Sequence, residues 1–272
     1  MTATEPITQP TLPGPITDAA VLARAEQAEH EFAERIKGVP YEEKGVFFSE
    51  MLFLLAAAGK GYEGLVLESG RARGQSTFVL GTVFPKAKIV SIEFDRDSPD
   101  VPIAAERLKR FDNVELLFGD SRKLLFERLK PGSVIVIDGP KGFRALRLSL
   151  QLLRTGKVKM VFIHDVYQGI PTRAFLDRYA PSTIYSDQAD FVERFKHLDD
   201  CCWDGFANDA VMEWHPPTLR ESDPRSYGPT FACLPYDPSL SYTRLLVQAH
   251  LANFRTRATK SINKRLKPRH GA

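Results

Sequence analysis

Between Gly64 and Tyr179, short apolar runs alternate five times with helix-type segments, and this alternation restricts the possible folds more than any other feature of the chain. The runs are GLVLES, KIVSIEF, NVELLFGD, SVIVIDG and VKMVFIHD. Helix-type stretches follow them at GQSTFVLGTVF and at about 103–111, 122–129, 143–153 and 171–179. Runs this short and this uniformly apolar suit strands buried on both faces, as in parallel sheets covered by helices. The expectation is an α/β fold with a doubly wound, mostly parallel sheet, helices before it and a basic helix after it. Right-handed crossovers place every strand's C-terminal end on one edge, where ligands bind in such sheets.

Length and composition agree with this reading. The chain has 272 residues, 43% of them hydrophobic, which suits one large α/β domain or two small ones. Residues 1–17 hold four prolines and read as a disordered lead. Residues 18–62 read as N-terminal helices, 63–238 as the α/β domain and 239–272 as a basic amphipathic helix and tail. Asp18 is the expected N-cap of the first helix, which runs to about Lys37. The second helix is expected over about 42–58, and its apolar end MLFLLAAA should be buried. PTFACLPY reads as a late antiparallel strand. No run of 18 apolar residues offers a membrane span. The first residues lack a secretory pattern, so a cytoplasmic location is expected. Cys201, Cys202 and Cys233 make neither a disulfide framework nor a zinc spacing.

The formal net charge of +3 conceals a division. From Ser239 onward there are eight basic residues and no acidic one; the other 29 basic residues face 34 acidic ones. A weakly acidic body therefore carries a strongly basic end.

The first strand end reads Glu68-Ser-Gly70-Arg-Ala72-Arg-Gly74. Glycines here let the backbone approach a ligand and expose helix N–H groups. The dinucleotide pattern G-x-G-x-x-G lacks its third glycine, because Gln75 stands there. Acidic-x-Gly-x-Gly/Ala-x-Gly is matched by Glu68, Gly70, Ala72 and Gly74. Glu93, about 20 residues beyond the turn, can accept hydrogen bonds from both ribose hydroxyls. Asp120 ends the third strand and can also N-cap the following helix.

Taken together over about Gly64–Gln168, these strand ends resemble class I S-adenosylmethionine-dependent methyltransferases, of the O-methyltransferase kind. The resemblance implies a Rossmann-like fold, bound S-adenosylmethionine and methyl transfer. It further implies that Glu68, Gly70, Ala72, Gly74, Glu93 and Asp120 hold the cofactor, Asp120 beside the adenine.

The fourth and fifth ends, Asp138-Gly-Pro-Lys141 and His164-Asp165, bring two carboxylates, an imidazole and an amine to where a methyl acceptor would lie. Two mechanisms are open. Asp138, His164 and Asp165 can bind Mg2+ or Mn2+, with zinc also open to a histidine-containing set, and so lower the pKa of an acceptor hydroxyl. This looks like the cation-dependent O-methyltransferases, although His-Asp replaces the Asp-Asn of the catechol type. Alternatively, His164 is a metal-free general base. The HDV triplet also resembles plant glucuronoxylan O-methyltransferases, which would imply a sugar acceptor. Lys141 reads as a surface or substrate-anion contact. The expected acceptor is a hydroxyl of a small molecule or sugar. An N-methyltransferase, including one acting on RNA, and a non-catalytic scaffold are the alternatives.

Trp203, Phe206, Trp214 and Tyr227 read either as acceptor-pocket residues or as core. The terminal helices offer surfaces for a homo-oligomer. In the C-terminal helix, Val247, Leu251, Phe254, Ala258 and Ile262 form a stripe expected to dock on the domain, with a partner or self-association helix and a nucleic-acid or anionic-surface contact as the alternatives. After Phe254 no aromatic residue interleaves with the basic ones, which argues against nucleic acid.

Overall fold

The computed structural model describes residues 16–39, 41–42, 45–200 and 230–266. The expectations placed on residues 1–15, Cys201, Cys202, Trp203, Phe206, Trp214, Tyr227, the side chain of Ile262 and the tail after Leu266 lie outside the described residues.

Two helices, α1 (Asp18–Ile36) and α2 (Phe48–Ala58), precede the sheet. Then come β1 (Leu65–Ser69), α3 (Gln75–Val83), β2 (Lys88–Glu93), α4 (Asp100–Leu108), β3 (Val114–Phe118) and α5 (Ser121–Arg128). They are followed by β4 (Ser133–Ile137), α6 (Phe143–Arg154), β5 (Val158–Ile163) and α7 (Pro171–Tyr179). Next are β6 (Ile184–Tyr185), α8 (Ala189–Phe195) with a 3-10 turn at Lys196–Asp199, β7 (Ala232–Pro235) and α9 (Tyr242–Leu266).

The sheet order is β3-β2-β1-β4-β5-β7-β6. β1 to β5 pair in parallel, and β7 runs antiparallel between β5 and β6. The doubly wound α/β fold therefore forms as the alternation requires. β6 is only two residues long and has no signature of its own in the sequence.

Strand periodicity divides the core into two layers. Val66, Ile89, Val134, Val136, Met160 and Phe162 face α1, α2, α3 and α8. Leu67, Val90, Ile92, Ile135, Ile137, Val161 and Ile163 face the layer containing α6, α7 and α9. Every residue of α2 is buried, so it is an internal helix and needs no polar face. Phe53 stands edge-on to Phe162 and Phe191, with centroids 6.2 and 5.5 Å away.

Three boundaries differ from expectation. Thr17 caps α1, accepting from the Ala20 N–H at 3.2 Å, while Asp18 opens the first turn. α2 starts at Phe48 because the preceding residues are held elsewhere: the Glu42 N–H donates to the Gln75 side chain at 2.6 Å. α4 starts at Asp100, with Pro102 in its first turn, where proline is tolerated.

The docking face of α9 also differs. Tyr242, Leu245, Leu246 and Ala249 are buried in the α6–α7 layer. Val247, Leu251 and Phe254 of the expected stripe are 56%, 55% and 73% exposed. The helix carries two apolar faces, and only the first is covered by its own domain. No helix among the described residues is long and apolar enough to cross a membrane.

Phe53→Ala should cost about 3–5 kcal/mol, since the ring is fully buried between two aromatic neighbours. Urea denaturation checks this as a fall in midpoint with an unchanged slope.

Candidate functional site

β1 and β4 are neighbours whose crossovers run to opposite sides, so a crevice opens above their ends. The turn after β1 can form only with unusual backbone angles. φ is +91° at Gly70, +44° at Ala72 and +80° at Gly74. A Cβ on Gly70 would stand 2.8 Å from the Gly139 nitrogen, and one on Gly74 2.9 Å from Leu108 Cδ1. The first glycine lets the β1 and β4 ends approach, and the second lets α3 start against α4.

Two carboxylates hold this turn. Glu68 lies beneath it on the α3 side, as the alternation along β1 requires, and is fully buried. It accepts from Ser76 Oγ at 2.5 Å, from Ser91 Oγ at 2.6 Å and from Thr77 Oγ1. Burial pushes its pKa up despite those three bonds. Glu93 lies above. Its Oε2 accepts from the Arg71 and Ala72 N–H groups at 3.1 and 2.9 Å, and its Oε1 from the Phe94 N–H at 2.8 Å. Arg71 runs under the floor, donating to the Ser91 carbonyl at 2.9 Å, with its guanidinium 4.9 Å from the Phe118 ring centre.

A cavity of about 580 Å³ opens over these ends, within the usual range for small-ligand sites. Gly70, Glu93 and Asp120 line it together with Phe94, Pro140 and Arg147. Phe94 is 76% exposed, so it presents an aromatic side chain that is mostly open to solvent. Asp120 caps α5, accepting from the Arg122 N–H at 2.9 Å, and it also pairs with the Arg122 guanidinium, which lowers its pKa. The cap and the cavity position are thus compatible. Glu68, Ala72 and Gly74 shape the turn without lining the cavity.

Next to the cavity, the ends of β4 and β5 bring Asp138, His164 and Asp165 together. One potential ligand atom from each lies within 4.8 Å of the others. Nδ1 of His164 is 2.7 Å from Asp138 and 3.3 Å from Asp165, but neither contact has hydrogen-bond alignment. Lys141 pairs with Asp138 and, at 2.7 Å, with Asp165. Asp165 has φ +60°, and its N–H donates to the Thr230 hydroxyl oxygen at 3.2 Å. The arrangement is a charge cluster of two cations among three anions, enclosed at Glu50 and His164 and open to solvent at Asp138, Lys141 and Asp165.

The third anion is Glu50 of α2, fully buried, which the sequence reading did not single out. Its Oε2 accepts from the Phe47 N–H at 2.9 Å and faces His164 Nε2 at 3.2 Å. Its Oε1 accepts from the Thr230 N–H at 2.5 Å. The available signal was a lone acid inside the apolar run FFSEMLFLL, three residues after Phe47. Burial opposes charge on His164, but Glu50 and Asp138 outweigh it and hold its pKa well above the ordinary value. Burial would likewise raise Asp138, yet His164 and Lys141 keep it well below the usual carboxylate range. Both shifts favour the protonated imidazole and the ionised Asp138 carboxylate.

No family model matches the sequence, and no curated protein matches it. Among solved structures the chain is similar to TrmN from Thermus thermophilus, with 18% identity over 42% of this chain and 37% of that one, and a TM-score of 0.33. It is similar to cofactor-bound Rv0187 from MTB, with 18% identity over 77% of this chain and 89% of that one, and a TM-score of 0.41. It is also similar to a SAM dependent methyltransferase from Aquifex aeolicus, with 20% identity over 51% and 74%, and a TM-score of 0.34. The chain spans little more than a third of the TrmN chain.

Asp199 lies beside this cluster and accepts from the Ser49 N–H at 3.0 Å and from its hydroxyl. Burial pushes its carboxyl up to about 7 against the pull of those bonds. The folded protein thus binds this proton more tightly than the unfolded chain. The corresponding stability is complete at low pH and is lost as pH rises through about 7. Asp199→Asn keeps an acceptor for Ser49 without ionising. At about pH 8 it should be more stable than the parent by on the order of 2 kcal/mol, with the gap closing towards about pH 5. Urea midpoints measured across that range check this.

Proposed function

We propose that this chain, which has the fold of the class I S-adenosylmethionine-dependent methyltransferases, transfers a methyl group to a hydroxyl of a small molecule or sugar. The observation that carries this reading is one juxtaposition. A cavity lined by Gly70, Glu93 and Asp120 and a half-buried carboxylate–imidazole cluster meet across the Gly70–Gly139 approach.

The residues present fit the cofactor. Phe94 and Pro140, both on the cavity lining, offer apolar surfaces to a base, and Asp120 an acceptor for its amino group. Glu93 lines the same cavity and is the acceptor for ribose hydroxyls, which would share its lone pairs with the turn N–H groups. Gly70 gives the backbone room beside them, while Glu68, Ala72 and Gly74 hold the turn in shape. When bound, the cofactor supplies an electrophilic methyl group on a sulfonium.

The cluster's part is to bind and orient the acceptor. Asp138, kept ionised, accepts the hydroxyl hydrogen and draws its oxygen into position. His164, kept charged by Glu50, fixes Asp138, and Lys141 neutralises the pair of acids. Alignment is the main requirement of such a transfer, so no strong base is needed.

A second reading, favoured by the three converging ligand atoms, is that Asp138, His164 and Asp165 hold Mg2+ or Mn2+. One nitrogen and two carboxylate oxygens suit such ions, and zinc as well. The metal would lower the pKa of the acceptor hydroxyl. His164 must then be neutral, and the Lys141 ammonium, which bridges the same acids, must leave.

Two measurements test these readings. Calorimetry with S-adenosylhomocysteine should show binding, weakened by roughly tenfold or more in Glu93→Ala by loss of its paired hydrogen bonds. No heat at millimolar concentration would overturn the methyltransferase reading. Manganese titration separates the two mechanisms. If a metal belongs here, Lys141→Ala should strengthen binding and Asp138→Ala should weaken it by roughly tenfold to a hundredfold. Equal, weak binding in all three proteins removes the metal.

A further inference from the structure

The cavity and its cluster leave one large feature unused, the outer face of α9. Val247, Leu251 and Phe254 are spaced four and three residues apart, so they share one side of the helix over about 10 Å. All three are exposed, Phe254 at 73%, and the opposite side of the helix is already docked through Leu245, Leu246 and Ala249. Arg244 lies one turn before Val247 and Arg255 one turn after Leu251, and both are exposed. Each therefore borders the stripe. The segment from Ser239 to Ala272 carries eight basic residues and no acid.

We infer that the outer face of α9 is an interfacial membrane-binding surface that lies on anionic lipid. An apolar stripe bordered by arginines gains from such a boundary twice, by transfer of its side chains out of water and by attraction to the headgroups. The other occupants use only one of the two properties. A second copy packed through this face would set two strongly basic segments against each other. A nucleic acid would attract the arginines but leave Val247 and Leu251 without a role.

The position of the stripe adds a consequence. His250 lines the cavity and lies 3.1 Å from the Arg147 guanidinium. It stands three residues after Val247 and four before Phe254, so the stripe borders the cavity mouth. A protein seated on this face holds the opening of its cavity beside the lipid headgroups. This inference does not depend on the proposed reaction.

The test is co-sedimentation of the full chain with vesicles of phosphatidylcholine alone or mixed with phosphatidylglycerol. The protein should sediment with the mixed vesicles only, and added salt should release it. Leu251→Glu combined with Phe254→Glu should lower partitioning at least tenfold, and Arg255→Glu should lower it by a smaller factor. Both variants should keep the parent circular dichroism and affinity for S-adenosylhomocysteine, since the altered side chains are exposed and outside the cavity lining. Failure to sediment with mixed vesicles would overturn the inference, as would sedimentation unchanged by the double substitution. It would equally be overturned if the double variant lost retention of single-stranded RNA, or a concentration-dependent dimer, while vesicle binding stayed the same.

Discussion

The site depends on how closely two strand ends can pass. At Gly70 a single added carbon would press on the Gly139 nitrogen, and the Ser69 hydroxyl donates to the Gly139 carbonyl across the same gap. β1 and β4 are held together at the point where their helices depart to opposite sides of the sheet. Because the gap is so narrow, residues on one flank of it line the cavity and residues on the other form the charge cluster. A wider turn would separate the two, and neither alone has an obvious use.

The charge cluster needs an explanation for its stability. Isolated buried charges are costly, and removing one partner of a buried pair leaves the other uncompensated. Here every charge except Glu50 has more than one neighbour of opposite sign. His164 lies between Glu50 and two aspartates, Lys141 bridges those aspartates, and Glu50 also takes two backbone donors. The imidazole ring is further fixed against Phe231, with centroids 5.2 Å apart. Neutralisation and hydrogen bonding thus come from three separate regions of the chain: α2, the β4–β5 edge and the start of β7.

This origin explains how legible the site was. The five parallel strands could be read because their apolar runs are local and periodic, and the residues at their ends follow once the crossovers are right-handed. Glu93, Asp120, Asp138, His164 and Asp165 were all read in this way. Glu50 was not, since its importance arises from contacts with Thr230 and His164, 180 and 114 residues away in sequence. Lys141 is exposed, as a surface residue should be, but nothing local indicates that it also spans two acids. The docking face of α9 was misjudged for a related reason. Both faces of that helix are apolar, and packing against α6 and α7, distant in sequence, determines which one is covered.

α2 also anchors the chain on either side of the undescribed stretch 201–229. Ser49 takes Asp199, which precedes that stretch, and Glu50 takes Thr230, which follows it. The two posts are consecutive residues of one buried helix. Asp199 and Thr230 therefore meet adjacent points of a single element, and the framework holds the two ends of that stretch close together through α2 as well as through the sheet.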